Sequence, residues 1–217
     1  DGPYFTHSPM NEEDILGVVP IGSVGPPSHT FPTGHMYFTL KRDHEHARWG
    51  NVSNIYSIGN GRIISIDSNK HHNGGFTDYS IRFSPCKDYF VYYGHIQTLS
   101  PKIQNFLNKK GKAENDDCST NSTGGETYTT CEYSQLNIEV VGGELLGTAG
   151  GNPNMFGLDL GAVDYTKEPS NYVGELATST GSFDLPYKVC PLDQFTAEAR
   201  EMIDRHLGSW DGKSHRE

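Results

Sequence analysis

Asp88–Ser100, DYFVYYGHIQTLS, is the stretch on which the fold turns. Tyr89, Phe90, Val91, Tyr92 and Tyr93 are side chains that fit a pleated, half-buried surface, and Ser84-Pro85 and Ser100-Pro101 punctuate the run on either side. A central β-strand is expected here. Gly94 directly before His95 admits the close approach of another backbone or a ligand. Imidazole is the side chain most used near neutral pH as proton shuttle or metal ligand. His95 is therefore the first candidate functional residue, weighed against a histidine that is simply hydrogen-bonded within the core.

Working outward, Tyr79-Ser80-Ile81-Arg82-Phe83 alternates and is expected to pair with the central strand. Met155–Asp164 alternates as well and places Asp159 between apolar neighbours that point to the opposite face. A buried, unpaired Asp is costly, so Asp159 belongs on an exposed face or beside a partner, with His95 and His35 as the candidates. His29 and His35 precede the strand-like Met36–Leu40, and Leu136–Val141 is a further strand. Ile55–Ile66 reads as strand, Gly59-Asn60-Gly61 turn, strand: a hairpin. Asp43-His44-Glu45-His46 has the look of a solvated charge run. His71-His72 is assigned to a loop, because neighbours on an extended chain point to opposite faces and rarely share an ion. Gly142–Gly151 is rich in glycine but lacks the Lys-Ser/Thr ending of a phosphate-binding loop.

At 217 residues the chain is long enough for a sizeable core, and 25 Gly, 12 Pro and 34% hydrophobic residues favour short strands and long loops over helices. The expectation is a mainly β chain with an N-terminal extension at 1–25, a β-domain at 26–190 and a C-terminal helix and tail at 191–217. In that last part Thr196 caps a helix whose apolar stripe is Phe195, Ala199, Met202, Ile203 and Leu207, stopped at Gly208. Lys102–Leu107 suggests one helical turn. The net charge of −10, with no basic cluster beyond Lys109-Lys110-Gly111-Lys112, excludes nucleic acid and anionic lipid as partners. No apolar run approaches the length of a membrane span.

The four cysteines, Cys86, Cys118, Cys131 and Cys190, form no CxxC pair. An even count suits two disulfides. The close pair Cys118 and Cys131 brackets a Ser/Thr/Gly-rich insertion at 113–133 that a bridge would staple, leaving Cys86 with Cys190. Asn51-Val52-Ser53 and Asn121-Ser122-Thr123 are glycosylation sequons. Together these features point to an extracellular or cell-surface protein.

The order of pieces resembles the lysostaphin-type zinc endopeptidases, whose small antiparallel β-barrel cuts peptide cross-links in bacterial cell walls. The likeness runs from about Pro26 to Asp164. It rests on His35-Met36-Tyr37-Phe38-Thr39, Asn54–Ile66, Tyr92-Tyr93-Gly94-His95-Ile96 and Val141–Gly147. It implies an antiparallel β-barrel or sandwich with long loops and one C-terminal helix. In that family zinc is held by the His and Asp of H-x-x-x-D and the second His of a later H-x-H. Here the position of the metal-binding Asp is Thr39, and the H-x-H segment aligns with Leu158-Asp159-Leu160. The resemblance thus implies a degenerate member that keeps the fold and loses the peptidase. Such a member would be a secreted binding or structural module with no cofactor. Its partner would be cell-wall glycopeptide or carbohydrate; separately, the apolar segment Ile15–Ile21 is expected to add a strand to its own sheet or, failing that, to join a second copy at an exposed sheet edge. The alternative is a metal-dependent peptidase with His29, His35 and Asp159 on zinc and His95 as acid/base.

Overall fold

The strands follow the alternation of apolar and polar residues. In chain order they are β1 (Ile15–Val19), β2 (Met36–Leu40), β3 (Ser53–Tyr56), β4 (Gly61–His71), β5 (Phe76–Cys86), β6 (Tyr89–Leu99), β7 (Cys118–Thr123), β8 (Glu126–Tyr133), β9 (Ile138–Val140), β10 (Leu145–Ala149), β11 (Gly157–Asp164) and β12 (Lys188–Val189), with helices α1 (Pro101–Lys110) and α2 (Ala197–Asp204). The computed structural model describes residues 2–23, 33–42, 51–111, 118–123, 125–151, 157–170 and 184–208. His29, the Gly25–Ser28 turn, Asp43–His46 and the tail from Trp210 lie outside them.

The protein is mainly β and antiparallel. Its sheet runs β1-β2-β11-β6-β5-β4-β8-β7 and does not close; β10 joins β6 to β3, β9 lies against β4, and β12 extends beside β11. The long strands β4 and β6 divide their pairing between the main path and these additional strands, which gives a sandwich-like body around one core. Met36, Phe38, Ile81, Phe83, Val91, Tyr93, Ile96, Leu158, Leu160 and Ala162 project into that core and are fully buried. Tyr93 keeps its hydroxyl satisfied there by accepting the Ile58 N–H at 3.1 Å.

One irregularity in β6 matters most. Tyr93 pairs with Ile81 and Ile96 with Tyr79, so Gly94 and His95 together face the single residue Ser80. This is a β-bulge, and His95 adopts φ 63° within it. Left-handed backbone costs a non-glycine residue about 1–2 kcal/mol. The extra residue lets Tyr93 and Ile96, three positions apart, both reach the core, while Tyr92 and His95 share the outer face.

Several sequence-based expectations hold. β5 pairs with β6, the alternating segment ending at Asp164 is a strand from Gly157, and Thr196 caps α2 by accepting the Ala199 N–H at 3.4 Å. Others do not. The Ile55–Ile66 hairpin is absent: β3 pairs with β10, whereas β4 pairs with β5, β8 and β9. Gly59 is instead bridged to Phe5, and a Cβ there would meet the Tyr4 carbonyl oxygen at 2.3 Å. Helix α1 is longer than one turn. The stapled segment is a hairpin, β7–β8, with Cys118 opposite Cys131 and a disulfide joining them. Cys86 and Cys190 are free thiols. Cys86 closes β5 opposite Tyr89, with its sulfur beside the Tyr4 hydroxyl, while Cys190 opens the 3₁₀ turn Pro191–Gln194.

The N-terminal segment belongs to the body of the protein. β1 pairs with β2 of the same chain, and its outer edge is covered where Val18 N–H donates to the His206 carbonyl and Gly208 N–H to the Val18 carbonyl. Phe5, fully buried, packs edge-on against Tyr89 and Phe195 at ring distances of 6.0 and 5.2 Å. It joins the N-terminus to the C-terminal elements. Phe5→Ala should therefore cost about 3–5 kcal/mol in urea unfolding, the range for emptying a packed aromatic site. A cost below about 1 kcal/mol, the scale of surface substitutions, would show that the N-terminal segment is an appendage.

Candidate functional site

Across the outer face of the sheet, perpendicular to the strands, runs a row of alternating imidazoles and carboxylates. His35 stands just before β2, Asp159 is on β11, His95 on β6, Asp78 on β5, His71 on β4 and Glu126 on β8; these strands are neighbours in that order. His35 Nε2 lies 3.2 Å from Asp159 Oδ2, and His95 Nε2 lies 3.3 Å from the same oxygen. His95 Nδ1 is 3.4 Å from Asp78 Oδ2, His71 Nε2 is 3.0 Å from Asp78 Oδ1, and His71 Nδ1 is 3.2 Å from Glu126 Oε1. Each strand contributes one member.

Local sequence explains the placements. Asp159 is in register with Gly94 and with Tyr37, so its neighbours Leu158 and Leu160 face the core while its carboxylate faces out between β6 and β2. Gly94 carries no side chain because the Tyr92 ring lies across it: a Cβ there would meet the Tyr92 hydroxyl oxygen at 2.5 Å. At Gly161 an added Cβ would lie 3.2 Å from the His35 Cβ, so this glycine makes room for that histidine. Asp78 pairs in register with Asn69, two residues from the end of β4, which brings His71 across to it. His71 also stacks on Phe76 with ring centroids 4.4 Å apart. Tyr37 sits edge-on to His35 at 4.8 Å.

The two aspartates are the covered members of the row, and His35 and His95 are more exposed than either. The Asp78 side chain is 4% exposed and that of His95 41%. Burial alone lowers the pKa of His95, but hydrogen bonds and charge attraction from Asp159 and Asp78 outweigh it and push the imidazole up to about 10. Burial, then the Asp159 charge, pushes the Tyr37 and Tyr92 hydroxyls up as well. The two carboxylates thus favour the charged form of His95, the form with a proton on each ring nitrogen.

Of the residues singled out from sequence, the fold brings together His35, Asp159 and His95, and Asp159 has both expected partners. His29 lies outside the described residues. Asp78, His71 and Glu126 carried no signal of their own; His71 was assigned to a loop, yet it ends β4 and points to the row while His72 turns away to the Thr129 hydroxyl at 2.9 Å. The point where His35, Asp159 and His95 converge is occupied by a carboxylate oxygen at hydrogen-bond distances. Among the described residues no three His, Cys, Asp or Glu side chains are arranged to hold an ion.

No protein-family model matches this chain, and no characterised protein matches it in sequence. The likeness to lysostaphin-type endopeptidases rests on residues and their order alone.

The raised pKa of His95 has a defined sign. Its stabilising contribution is fully present below the unfolded-state value of about 6.5. It is lost as pH rises toward the folded value of about 10. His95→Asn keeps a residue that tolerates left-handed backbone and removes the titrating group. In urea unfolding the wild type should exceed this variant most at pH 6.5, with the gap shrinking steadily toward pH 10. A gap that does not change with pH would show that the two carboxylates do not hold the charge.

Proposed function

We propose that the protein is a non-catalytic binding module of a peptidase-like β-fold, acting outside the cytosol at a cell surface. The observation that supports this most is that both ring nitrogens of His95 face carboxylates, Asp159 at 3.3 Å and Asp78 at 3.4 Å. An imidazole so placed has no lone pair left to take a proton from water or to bind a metal. The row then works as a rigid polar floor, compensated at its centre, against which Tyr37 and Tyr92 stand.

The setting agrees with this role. The Cys118–Cys131 disulfide is consistent with a non-cytoplasmic protein. It fastens β7, the terminal strand of the sheet, on which the sequon residue Asn121 is exposed. No described helix is long and apolar enough to cross a membrane. The resemblance to cell-wall peptidases makes cell-wall glycopeptide the first ligand to try, held by hydrogen bonds to the row.

The test is co-sedimentation of the full chain with purified, insoluble peptidoglycan, with and without added zinc. The protein should be retained in the pellet and release no soluble cross-link fragments in either condition. Fragment release that His95→Ala abolishes would make it a peptidase, and failure to sediment would remove the cell wall as its ligand.

A further inference from the structure

Beside the row, on the same outer face, lies a cleft of about 310 Å³. One side of its lining is acidic, and the other carries two bases with one acid, Asp184, beside them. On one side stand Asp67 of β4, in register with Ser80 of β5, and Glu132 of β8, in register with Asp67. On the other side stand Arg82 of β5 and Lys188 of β12. The floor between them carries the Ser80 and Tyr92 hydroxyls, 3.4 Å apart. Tyr92 also approaches His35, with ring centroids 6.5 Å apart, so the cleft opens directly onto the histidine row.

Two of the half-buried charges are not held by a direct bond among the described residues, although Arg82 attracts Asp67 and Asp184 attracts Lys188 from a distance. Arg82 is engaged: its guanidinium lies 4.7 Å over the Phe90 ring and 3.5 Å from Asp184, and donates to the Tyr165 hydroxyl at 3.3 Å. Asp67 and Lys188 are both half-buried, and among the described residues neither makes a side-chain hydrogen bond or salt bridge. Burial, reinforced by Glu132, raises the Asp67 carboxyl to about 6, and burial lowers the Lys188 ammonium. A half-buried charge without a directly bonded partner is costly, and two of opposite sign at opposite ends of one concavity are the complement of a ligand that carries both charges.

Spacing limits that ligand. From Asp67 the sheet order passes through β5, β6 and β11 to Lys188 on β12. Four strand spacings of about 4.8 Å make roughly 19 Å across the sheet, and Lys188, opposite Val163, stands about four residues further along β11 than the Asp67 row, which meets β11 near Asp159, so the two backbones are roughly 23 Å apart. The side chains reach inward and shorten this, Lys188 with the longest stem. An extended peptide advances about 3.3 Å per residue, so two or three residues bridge what remains.

We propose that this cleft binds a short peptide by its free ends, the ammonium at Asp67 and Glu132 and the carboxylate at Lys188 and Arg82. It deepens the role as a binding module, on which it rests only in treating the peptide as ligand and not substrate. Ser80 and Tyr92 meet the peptide's middle, where their hydroxyls can donate or accept.

Trialanine, its N-acetylated form and its C-terminal amide, titrated into the full chain by calorimetry, provide the test without altering the protein. Trialanine should bind, and each blocked form should bind about tenfold more weakly, the scale of one lost hydrogen bond to a charged group. Asp67→Asn should weaken trialanine about tenfold and leave the acetylated peptide unchanged; Lys188→Met should do the same with respect to the amide. Equal affinity for all three peptides, or no binding of any at millimolar concentration, would overturn the proposal. So would an Asp67→Asn variant that weakens all three alike. Zinc-dependent cleavage of bound trialanine would overturn the non-catalytic role while leaving the cleft's specificity standing.

Discussion

The structure depends on a single backbone irregularity. The bulge at Gly94-His95 places one imidazole over the junction of β6 with its two neighbours, where carboxylates from β11 and β5 converge on it. Without the extra residue, either Ile96 would leave the core or His95 would enter it, because strand side chains alternate strictly. The left-handed conformation costs about 1–2 kcal/mol. Pairing a histidinium with two covered carboxylates opposes that cost. Asp78 and Asp159 in turn share His95: without it each of these covered carboxylates would keep one imidazole neighbour, His71 or His35, in place of two.

Much of the fold could be read from the sequence, because it lies in period-two patterns. The alternation in Tyr79–Phe83 and in Leu158–Ala162 marks which residues face the core, and the structure buries Ile81, Phe83, Leu158, Leu160 and Ala162, with Tyr79 partly buried against them. The flanking apolar residues of Asp159 showed that it needed a partner, and both candidate partners are the ones it meets. The failures are failures of register. Nothing local tells that Ile55 pairs across to Gly147 and not back across the Gly59-Asn60-Gly61 turn. The other half of the row was hidden for the same reason. His71 and Asp78 are drawn together by the β4–β5 pairing, which carries its own irregularity between Ile63 and Ser65. Free thiols at Cys86 and Cys190 show a further limit, since an even cysteine count gives no geometry.

The chemistry of the face follows from how its charges are used. In the row, each imidazole meets a carboxylate and is held by it, which suits rigidity more than turnover. In the adjoining cleft, Asp67 and Lys188 are not held by a direct bond among the described residues. On the proposed reading, the compensated set is the scaffold and the neighbouring set the recognition site. The covered outer edge of β1 and the disulfide-fastened hairpin at β7 flank this face at the two ends of the sheet. Both ends of the strand path that carries it are tied down.

The most direct measurement is the protonation of His95, read from the imidazole ¹⁵N shifts of the histidine-labelled protein, with His95→Asn used to assign the signal. At pH 8 both ring nitrogens of His95 should show the shifts of the charged form, with titration only as pH approaches 10. A neutral His95 at pH 8, titrating near the ordinary value of about 6.5, would contradict the central claim and restore the imidazole as an available base or ligand.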